Sequence, residues 1–409
     1  MSYEQARNEG RGLVFRKKIV WLGALSLLVM SAMFLAACGS DDDSSSDSGS
    51  GSSSSSGETI SMLTWDGYQE KEWLNEFTAD TGIKVKSTSA GSPAEMFAKV
   101  RSNPEQFDVV LPTAGWFPQY VEAGLLEPID TSKVPAMDDI KLGFPWKDAA
   151  SVDGELYGVL YNWGNQPLAW LPDKIKGVDL SKYENEEGVI DDWNVLWDPQ
   201  LKGKVSVFDD PTSVEPMVAL SLGFEDPYNL DEQQFEEFRQ KLLDLRPQVK
   251  RLTTGYDDQT AQLASGEAWI AYLNIISIAS TLRKDGTILE VNNTVKQGVP
   301  AWSDNYAITS ASGADKADAV YELMNYTLSL DWQARFVAET SNSGTLNYEQ
   351  ATSSEAEAQG LTKKILDTTL IPATREGDKF FNSQIFFQPV EDTQARLDVW
   401  NEFKLGLGG

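Results

Sequence analysis

The chain has 409 residues, 41% of them hydrophobic, which is enough to bury the cores of about two domains. A formal net charge of −28 disfavours binding to nucleic acid and to anionic lipid, and it is compatible with simple solubility or with a cationic ligand. The absence of histidine excludes a Ser-His-Asp triad, and the single cysteine, Cys38, excludes an internal disulfide, so a carboxylate-only enzyme or a calcium site are the remaining catalytic and metal alternatives.

Residues 1–38 predict a lipoprotein signal peptide. Arg16-Lys17-Lys18 is followed by an apolar run over 19–34 that is too short for a confident membrane span. Leu35-Ala36-Ala37-Cys38 resembles the bacterial lipobox, in which the cysteine becomes the lipidated N-terminus. The alternative is an ordinary signal peptide with a chance cysteine. The expected location is the periplasm or the outer face of the cell membrane, with the protein anchored through Cys38.

Residues 39–57 predict a disordered tether. From Ser40 to Gly57 the chain contains only Ser, Asp and Gly, a composition that cannot bury enough apolar surface to fold. A flexible coil of this length spans roughly 25 Å. Such a tether suits a binding protein that docks on a membrane transporter, and it would also suit a surface enzyme.

Strand-like and helix-like segments alternate from residue 58 onward. Gly82 stands where a helix C-cap glycine belongs, and Ser92-Pro93-Ala94-Glu95 is a capping box with proline at the first helical position. The predicted elements of the first half are strands over 59–63, 83–87 and 108–111 and helices over 70–81, 93–102 and 117–123.

The same rhythm continues in the second half of the chain. Its predicted elements are strands over 204–208 and 268–273 and helices over 214–222, 233–245, 260–264, 314–328, 331–339 and 391–404. Repeated βαβ units predict an α/β fold with two lobes, each a sheet flanked by helices. Ligands of such folds bind beyond the carboxyl ends of strands and between domains.

Several stretches, in this order along the chain, resemble the periplasmic polyamine-binding (spermidine/putrescine) proteins of ABC importers. The matching stretches are residues 62–68, 81–85, 108–113, 124–130, 157–164, 193–199, 202–204, 209–212, 266–268 and 302–308. Together they cover roughly residues 58–345. The resemblance implies a two-lobed, type II periplasmic-binding fold with two mixed sheets and a ligand cleft between the lobes.

The resemblance also implies a division of the chain that crosses between lobes. The expected parts are 58–165 as the first part of lobe 1, 166–300 as lobe 2, 301–350 as the second part of lobe 1, and 351–409 as a C-terminal helical segment on lobe 2. Carried over residue by residue, the resemblance gives Trp302 as an aromatic wall and Asp304 as an amine-binding carboxylate, both just before a late strand. The other expected site residues are Trp65, Tyr68, Thr113 and Asp210.

The chain departs from the family pattern at several site positions. Ser213 stands where the family has a glutamate, with Glu215 nearby but out of register, and Ser277 stands where putrescine binders add an aspartate. Asn274 aligns with a family tryptophan. Further departures are Gly115 in place of an aromatic, with Trp116 beside it, and Asp66 in place of Thr or Ser. One carboxylate end of the site is thus preserved and the other is rebuilt.

A buried ammonium group needs a carboxylate and hydrogen bonds in place of water, and an aromatic face adds roughly 0.5–2 kcal/mol. We therefore expect Asp304 and Asp210, with Asp66 as a third, to bind ammonium groups. Trp65, Trp302, Trp116 and Trp163 would form the aromatic walls. Alternatives stay open: the tryptophans could pack in the core, and the acids of residues 66, 209 and 210 could cap helices.

The expected function is the binding component of an ABC importer for a small cationic amine, namely a polyamine such as putrescine or spermidine. The expected partners are that ligand, the permease subunits and a membrane through the lipid anchor, with no cofactor, no nucleic acid and a monomeric state. One alternative is the same fold binding a quaternary ammonium, an amino-acid derivative or a sugar. A lipid-anchored hydrolase using two carboxylates is a further alternative, although no nucleophile motif supports it.

Overall fold

The structure is a computed structural model that describes residues 58–390 and 392–407. The predicted signal peptide, tether and lipidation site at Cys38 lie outside these residues. The strands are β1 (Thr59–Trp65), β2 (Lys84–Ala90), β3 (Val109–Val110), β4 (Leu126–Glu127), β5 (Ser151–Val152), β6 (Glu155–Leu156), β7 (Val159–Asn165), β8 (Leu168–Trp170), β9 (Val205–Phe208), β10 (Val249–Thr253), β11 (Ile270–Tyr272), β12 (Glu290–Asn292), β13 (Val299–Thr309) and β14 (Gln384–Phe386).

Helices cover the faces of these strands. They are α1 (Lys71–Thr81), α2 (Pro93–Ser102), α3 (Phe117–Glu122), α4 (Trp146–Ala149), α5 (Pro172–Ile175), α6 (Pro211–Ser221), α7 (Glu232–Leu243), α8 (Gly255–Ala264), α9 (Ser277–Lys284), α10 (Gly313–Thr327), α11 (Leu330–Thr340), α12 (Tyr348–Ala351), α13 (Ser354–Ala358), α14 (Lys363–Leu366), α15 (Asp378–Phe381) and α16 (Thr393–Leu405). None of the helices within 58–390 and 392–407 is long and apolar enough to cross a membrane.

The strands form two mixed sheets, and each sheet with its helices is one lobe of the molecule. The first sheet has the order β14-β13-β3-β1-β2, with β4 and β7 also paired to β13. The second sheet has the order β10-β9-β11-β8-β12. Strands β1, β2 and β3 run parallel, whereas β13 runs antiparallel to β3, β4 and β7. The two-lobed mixed α/β prediction is confirmed.

Each sheet is packed on both faces by apolar side chains. In the first lobe, Phe77 and Phe336 belong to one buried cluster and Val110 and Phe117 to the opposite one. The second lobe is built in the same way, around Phe238 in one cluster and Leu263 in the other. Because both faces are covered, the central strands β7, β9, β11 and β13 are buried at every residue, whereas the edge strands β2 and β10 keep exposed residues.

The C-terminal segment packs against both lobes. Leu366 and Phe380 are buried in the core of the first lobe, whereas Trp400 and Phe403 on α16 are buried in the core of the second. The expectation that all of 351–409 lies on the second lobe is corrected, because this segment contributes to the cores of both lobes. The exact boundaries of the lobes along the chain stay a prediction.

Candidate functional site

Three side chains from separate parts of the first lobe meet around one carboxylate. Asp304 accepts a 2.5 Å hydrogen bond from the Tyr68 hydroxyl at Oδ2 and a 2.5 Å hydrogen bond from the Thr113 hydroxyl at Oδ1. Tyr68 follows β1 after a turn in which Gly67 has a φ of 74°, a value that favours glycine. Thr113 follows β3 and forms a β-bridge with Asp304. The structure thus brings together three of the predicted site residues.

Asp304 lies inside a strand rather than before one. The predicted position of Trp302 and Asp304, just ahead of a late strand, is wrong because β13 spans both residues. Asp304 pairs with Asn162 of β7, and the register between the two strands shifts directly after it. The pairing with β7 resumes after this irregularity, at Asn305 and Tyr306, and the pairing with β3 follows at Ala307 and Ile308. Such irregularities redirect side chains and are frequent next to functional sites.

The Asp304 carboxylate is 4% exposed and has no Lys or Arg partner among the described residues. Burial raises its pKa to about 7, and the hydrogen bonds from Thr113 and Tyr68 oppose that rise. Burial and the nearby Asp304 raise the pKa of Tyr68 well above its usual range. The Tyr68 hydroxyl therefore stays protonated and donates a hydrogen bond to Asp304. A buried carboxylate without a protein cation is costly, and a cationic ligand would relieve that cost.

Asn162 on β7 supports the group formed by Asp304, Tyr68 and Thr113. It is not among the predicted site residues. Its Nδ2 donates to the Tyr68 hydroxyl over 2.9 Å, and its Oδ1 accepts from the backbone N–H of Gly344 over 2.9 Å. Asn162 therefore fixes the direction in which the Tyr68 hydroxyl points. The signal in the sequence is an asparagine inside the mostly apolar strand β7. Asn162 is fully buried there, and a buried amide requires hydrogen-bond partners.

Two of the predicted tryptophans, Trp116 and Trp302, lie near the region between the lobes, and Trp65 lies at the end of β1 in the first lobe. Trp65 is half-buried and its indole N–H donates to the Leu111 carbonyl over 3.0 Å. Trp116 is half-buried at the start of α3. Trp302 is 8% exposed and belongs to a small apolar cluster with Tyr228 and Phe387. These indole rings can form aromatic walls for a cation or for a methylene chain.

Trp163 is not part of that group. Its side chain is fully buried, with ring centroids 5.5 Å from Phe144 and 5.6 Å from Phe381. The expectation that Trp163 forms a wall of the site is therefore corrected: β7 is covered on both faces, and this indole points into the core of the first lobe. Its indole N–H has no hydrogen-bond partner among the described residues.

The remaining predicted residues are more dispersed. Asp210 is the N-cap of α6, where it accepts from the Thr212 N–H over 3.1 Å and from the Ser213 hydroxyl over 2.6 Å. Burial raises the pKa of Asp210, although both hydrogen bonds oppose the rise, and the neighbouring Asp209 raises it further. Asp66 is exposed in the turn after β1, and Asn274 is half-buried two residues after the end of β11. The side-chain hydrogen bonds of Asp304 come from Tyr68 and Thr113 and involve neither Asp66 nor Asn274.

A cavity of about 50 Å³ lies between the lobes, one residue away from Thr113 and from Asp210. We call it the interlobe cavity. Trp116 is the one predicted site residue that lines it. Its lining residues are Ala114, Gly115, Trp116, Gln119, Pro211, Thr212, Glu215, Pro216, Tyr228, Gln388, Val390, Thr393, Arg396 and Leu397.

Two charged residues in the cavity wall were missed at the sequence level. Glu215 on α6 and Arg396 on α16 are 2% and 3% exposed, and Arg396 Nη1 lies 3.6 Å from Glu215 Oε2. Glu215 was noted only as out of register with the family glutamate. Arg396 gave no local signal, because an arginine on an amphipathic helix is usually at the surface. The residues that the structure describes contain no cluster of acids suited to a metal ion.

Gly164 on β7 determines where the Trp302 ring lies. The two residues pair across β7 and β13, and a Cβ at Gly164 would be 2.6 Å from Trp302 Cζ2. Gly164→Ala is therefore expected to displace the indole and to lower amine affinity about 10-fold, since a cation–aromatic contact contributes roughly 0.5–2 kcal/mol. Gly143→Ala is the matched control, because its Cβ would crowd the remote Phe381 ring at 2.7 Å. Calorimetric titration should show unchanged affinity for that control, and equal affinity losses in both variants would contradict the expectation.

Comparison with known proteins gives a consistent set of similarities. Residues 72–363 match the family described as bacterial extracellular solute-binding protein. The chain is 27% identical over 275 residues to the spermidine/putrescine-binding periplasmic protein 1 of Haemophilus influenzae, covering 67% of this chain and 71% of that protein. It is 23% identical over 280 residues to the putrescine-binding periplasmic protein SpuD of Pseudomonas aeruginosa, covering 66% of this chain and 74% of the relative.

Solved structures confirm the fold class. A putative spermidine/putrescine ABC transporter protein from Listeria monocytogenes superposes with a TM-score of 0.67 at 20% identity, covering 85% of this chain and 99% of that chain. The binding protein MotA from A. tumefaciens, in complex with glucopine, superposes with a TM-score of 0.63 at 16% identity, covering 85% and 99% of the two chains.

Proposed function

We propose that this chain, which belongs to the bacterial extracellular solute-binding protein family, captures a small cationic amine. It delivers the amine unchanged to the permease of an ABC importer. The ligand is a polyamine of the putrescine or spermidine kind. The observation that carries the proposal is Asp304, a buried carboxylate with no cation from the described part of the protein beside it. The names of the curated relatives support the same ligand class.

The geometry around Asp304 suits an ammonium group. Tyr68 and Thr113 each occupy one lone pair of the carboxylate, which leaves further acceptor positions for a ligand. Trp65 on β1 and Trp302 on β13 supply aromatic surface from two strands of the same sheet, and such surface also packs against the methylene chain of a polyamine. Binding in this proposal involves no covalent step, so the chain acts as a carrier and not as an enzyme.

The proposal includes the cellular setting. The chain works as a monomer, anchored through Cys38 in the periplasm or on the outer face of the cell membrane, with residues 39–57 as a tether. The lobes close around the ligand and open at the permease. Hinge closure around a ligand is the usual motion of two-lobed binding proteins.

Calorimetric titration of the full-length chain in mild detergent tests this function. We expect at least one of putrescine and spermidine to bind with a dissociation constant of about 10 μM or tighter, which corresponds to roughly −7 kcal/mol. Glycine betaine should bind at least about 10-fold more weakly, because it carries one shielded charge and a carboxylate. Affinity should fall several-fold between about 50 and about 500 mM salt, because partly exposed ion pairs are screened. Absence of binding by every amine would refute the proposal.

A second candidate is an amine that also carries a carboxylate, such as an amino-acid derivative. Arg396 favours it, because a buried guanidinium in the wall of the interlobe cavity can bind a carboxylate. Ornithine and putrescine differ by a single carboxylate and form a matched pair of ligands. Tighter binding of ornithine would favour the second candidate, whereas tighter binding of putrescine would favour the first.

A further inference from the structure

Glu215 is a buried carboxylate whose hydrogen bonds are incomplete. It lies on α6 in the wall of the interlobe cavity and is 2% exposed. Its Oε1 atom has no hydrogen-bond partner among the described residues. A buried acceptor without a partner is rare in folded proteins, and at the wall of a cavity it indicates a missing donor.

Arg396 compensates Glu215 only in part. The 3.6 Å separation between Arg396 Nη1 and Glu215 Oε2 is longer than a hydrogen bond. Other groups hold the guanidinium: its Nε donates to Asp392 Oδ1 over 2.8 Å, and its Nη2 donates to the Tyr228 carbonyl over 2.8 Å. The positive charge of Arg396 is thus shared between two carboxylates, and pairing with Arg396 alone does not explain why Glu215 is kept buried at this place.

We propose that Glu215 is a ligand-binding carboxylate that receives an amino group of the ligand at its free Oε1 atom. This inference rests on the proposed function and specifies the ligand further. Asp304 belongs to the first lobe and Glu215 to the second, and the short segment after Thr113 lines the cavity in which Glu215 lies. A ligand that joins both carboxylates has at least two amino groups, so the site selects diamines and longer polyamines over monoamines.

The charges around Glu215 support this assignment. Burial raises its pKa to about 8; Arg396 opposes the rise, and Asp392 and Asp210 add to it. Tyr228, which also lines the cavity, is itself buried and stays protonated because burial raises its pKa. Glu215 is therefore mostly protonated near neutral pH without a ligand. An arriving ammonium group favours the charged carboxylate, so binding there releases a proton.

Titration of the full-length chain with putrescine and with n-butylamine tests the inference, because these ligands share a four-carbon chain and differ by one amino group. Glu215→Gln is expected to weaken putrescine binding at least about 10-fold and to change butylamine binding less than about 2-fold, since only the diamine reaches both carboxylates. Asp198→Asn is the matched control: this carboxylate is equally buried in the second lobe, but Lys182 pairs with it over 3.0 Å and it lies outside the cavity lining. Putrescine affinity of that control should stay within about 2-fold of the wild type.

The outcomes separate this inference from the proposed function. Unchanged putrescine affinity in Glu215→Gln, with binding by the wild type, would overturn the role of Glu215 and leave the proposed function standing. Absence of amine binding by the wild type would overturn both. If thermal melting shows that the Glu215→Gln variant does not fold, the wild-type protein still tests the inference. Titrations of the wild type in two buffers of different ionisation enthalpy should show about one more proton released by putrescine than by butylamine. Equal proton release would overturn the inference.

Discussion

Replacing Asp304 by asparagine is expected to weaken polyamine binding at least about 100-fold, which corresponds to a loss of roughly 2.7 kcal/mol. The substitution keeps the size of the side chain and removes the negative charge that the proposed ammonium group requires. It also introduces an amide N–H₂ group opposite either the Thr113 or the Tyr68 hydroxyl, both of which donate to the carboxylate in the native protein. Loss of a buried, charge-assisted partner is among the costliest changes to a binding site.

Calorimetry with putrescine measures this effect, and Asp108→Asn serves as the matched control. Asp108 is equally buried in the first lobe, but Lys316 neutralises it over 2.9 Å. The control should lower stability and leave ligand affinity within about 2-fold of the wild type. Wild-type affinity in Asp304→Asn would show that the amine binds elsewhere.

The pH dependence provides a second measure of the same residue. Since burial raises the pKa of Asp304 to about 7, a large fraction of this carboxyl is protonated at pH 6 and little of it at pH 8. The amino groups of the ligand stay protonated over this range. Amine affinity should therefore rise between about pH 6 and about pH 8, and Asp304→Asn should remove the part of that rise that comes from this carboxyl, leaving the part that Glu215 contributes. An affinity that falls with rising pH would contradict the assignment.

Replacing Trp163 by alanine is expected to lower the free energy of unfolding by about 3–5 kcal/mol, the usual cost of removing a large aromatic side chain from a core. The ring is fully buried among Phe144, Phe380, Phe381 and Phe386. Its removal leaves a cavity that these phenylalanine rings cannot fill without moving. Because Trp163 points away from the interlobe cavity, the folded fraction of the variant should bind amines with wild-type affinity.

Urea unfolding followed by circular dichroism measures the stability, and titration below the unfolding transition measures the affinity. Trp163→Phe is the control, since it keeps an aromatic ring in the core and should lose less stability than the alanine variant. A Trp163→Phe variant with native stability and strongly reduced amine affinity would place this indole at the ligand after all.

Helix ends could be predicted from the sequence because their causes are local. Ser92 accepts the Glu95 N–H over 3.2 Å, as the Ser-Pro-Ala-Glu pattern predicts, although the Glu95 side chain bonds the N–H of Gly91 rather than that of Ser92. Gly82 ends α1 in the left-handed conformation, as expected for a C-cap glycine. In both cases the residues that decide the structure lie within one helical turn of each other.

Strand β13 could not be predicted in the same way. Its eleven residues include Pro300, Ser303, Asp304 and Asn305, which are poor strand signals, yet every residue of the strand is buried. The strand exists because β7, β3, β4 and β14 pair along it from distant parts of the chain. Tertiary pairing of this kind has no signature in a local window of sequence.

The residues of the candidate site also differ in how far the sequence could reveal them. Resemblance to a family led to Tyr68, Thr113 and Asp304, and the structure brings these three together. It also led to Trp163, which the two-sided covering of β7 places in the core. Asn162 and Glu215 were missed, since one acts through Tyr68 and the other owes its position to a cavity that only the folded lobes create.

The position of α16 has a consequence for biosynthesis. The indole of Trp400 donates to Asp209 over 2.9 Å, and Arg396 on the same helix closes one side of the cavity. Both sheets are already encoded before Thr393, so a nascent or prematurely terminated polypeptide could assemble each sheet and still lack that side. A polypeptide that ends before Thr393 is therefore expected to form both sheets and to hold a solute less firmly than the chain with α16.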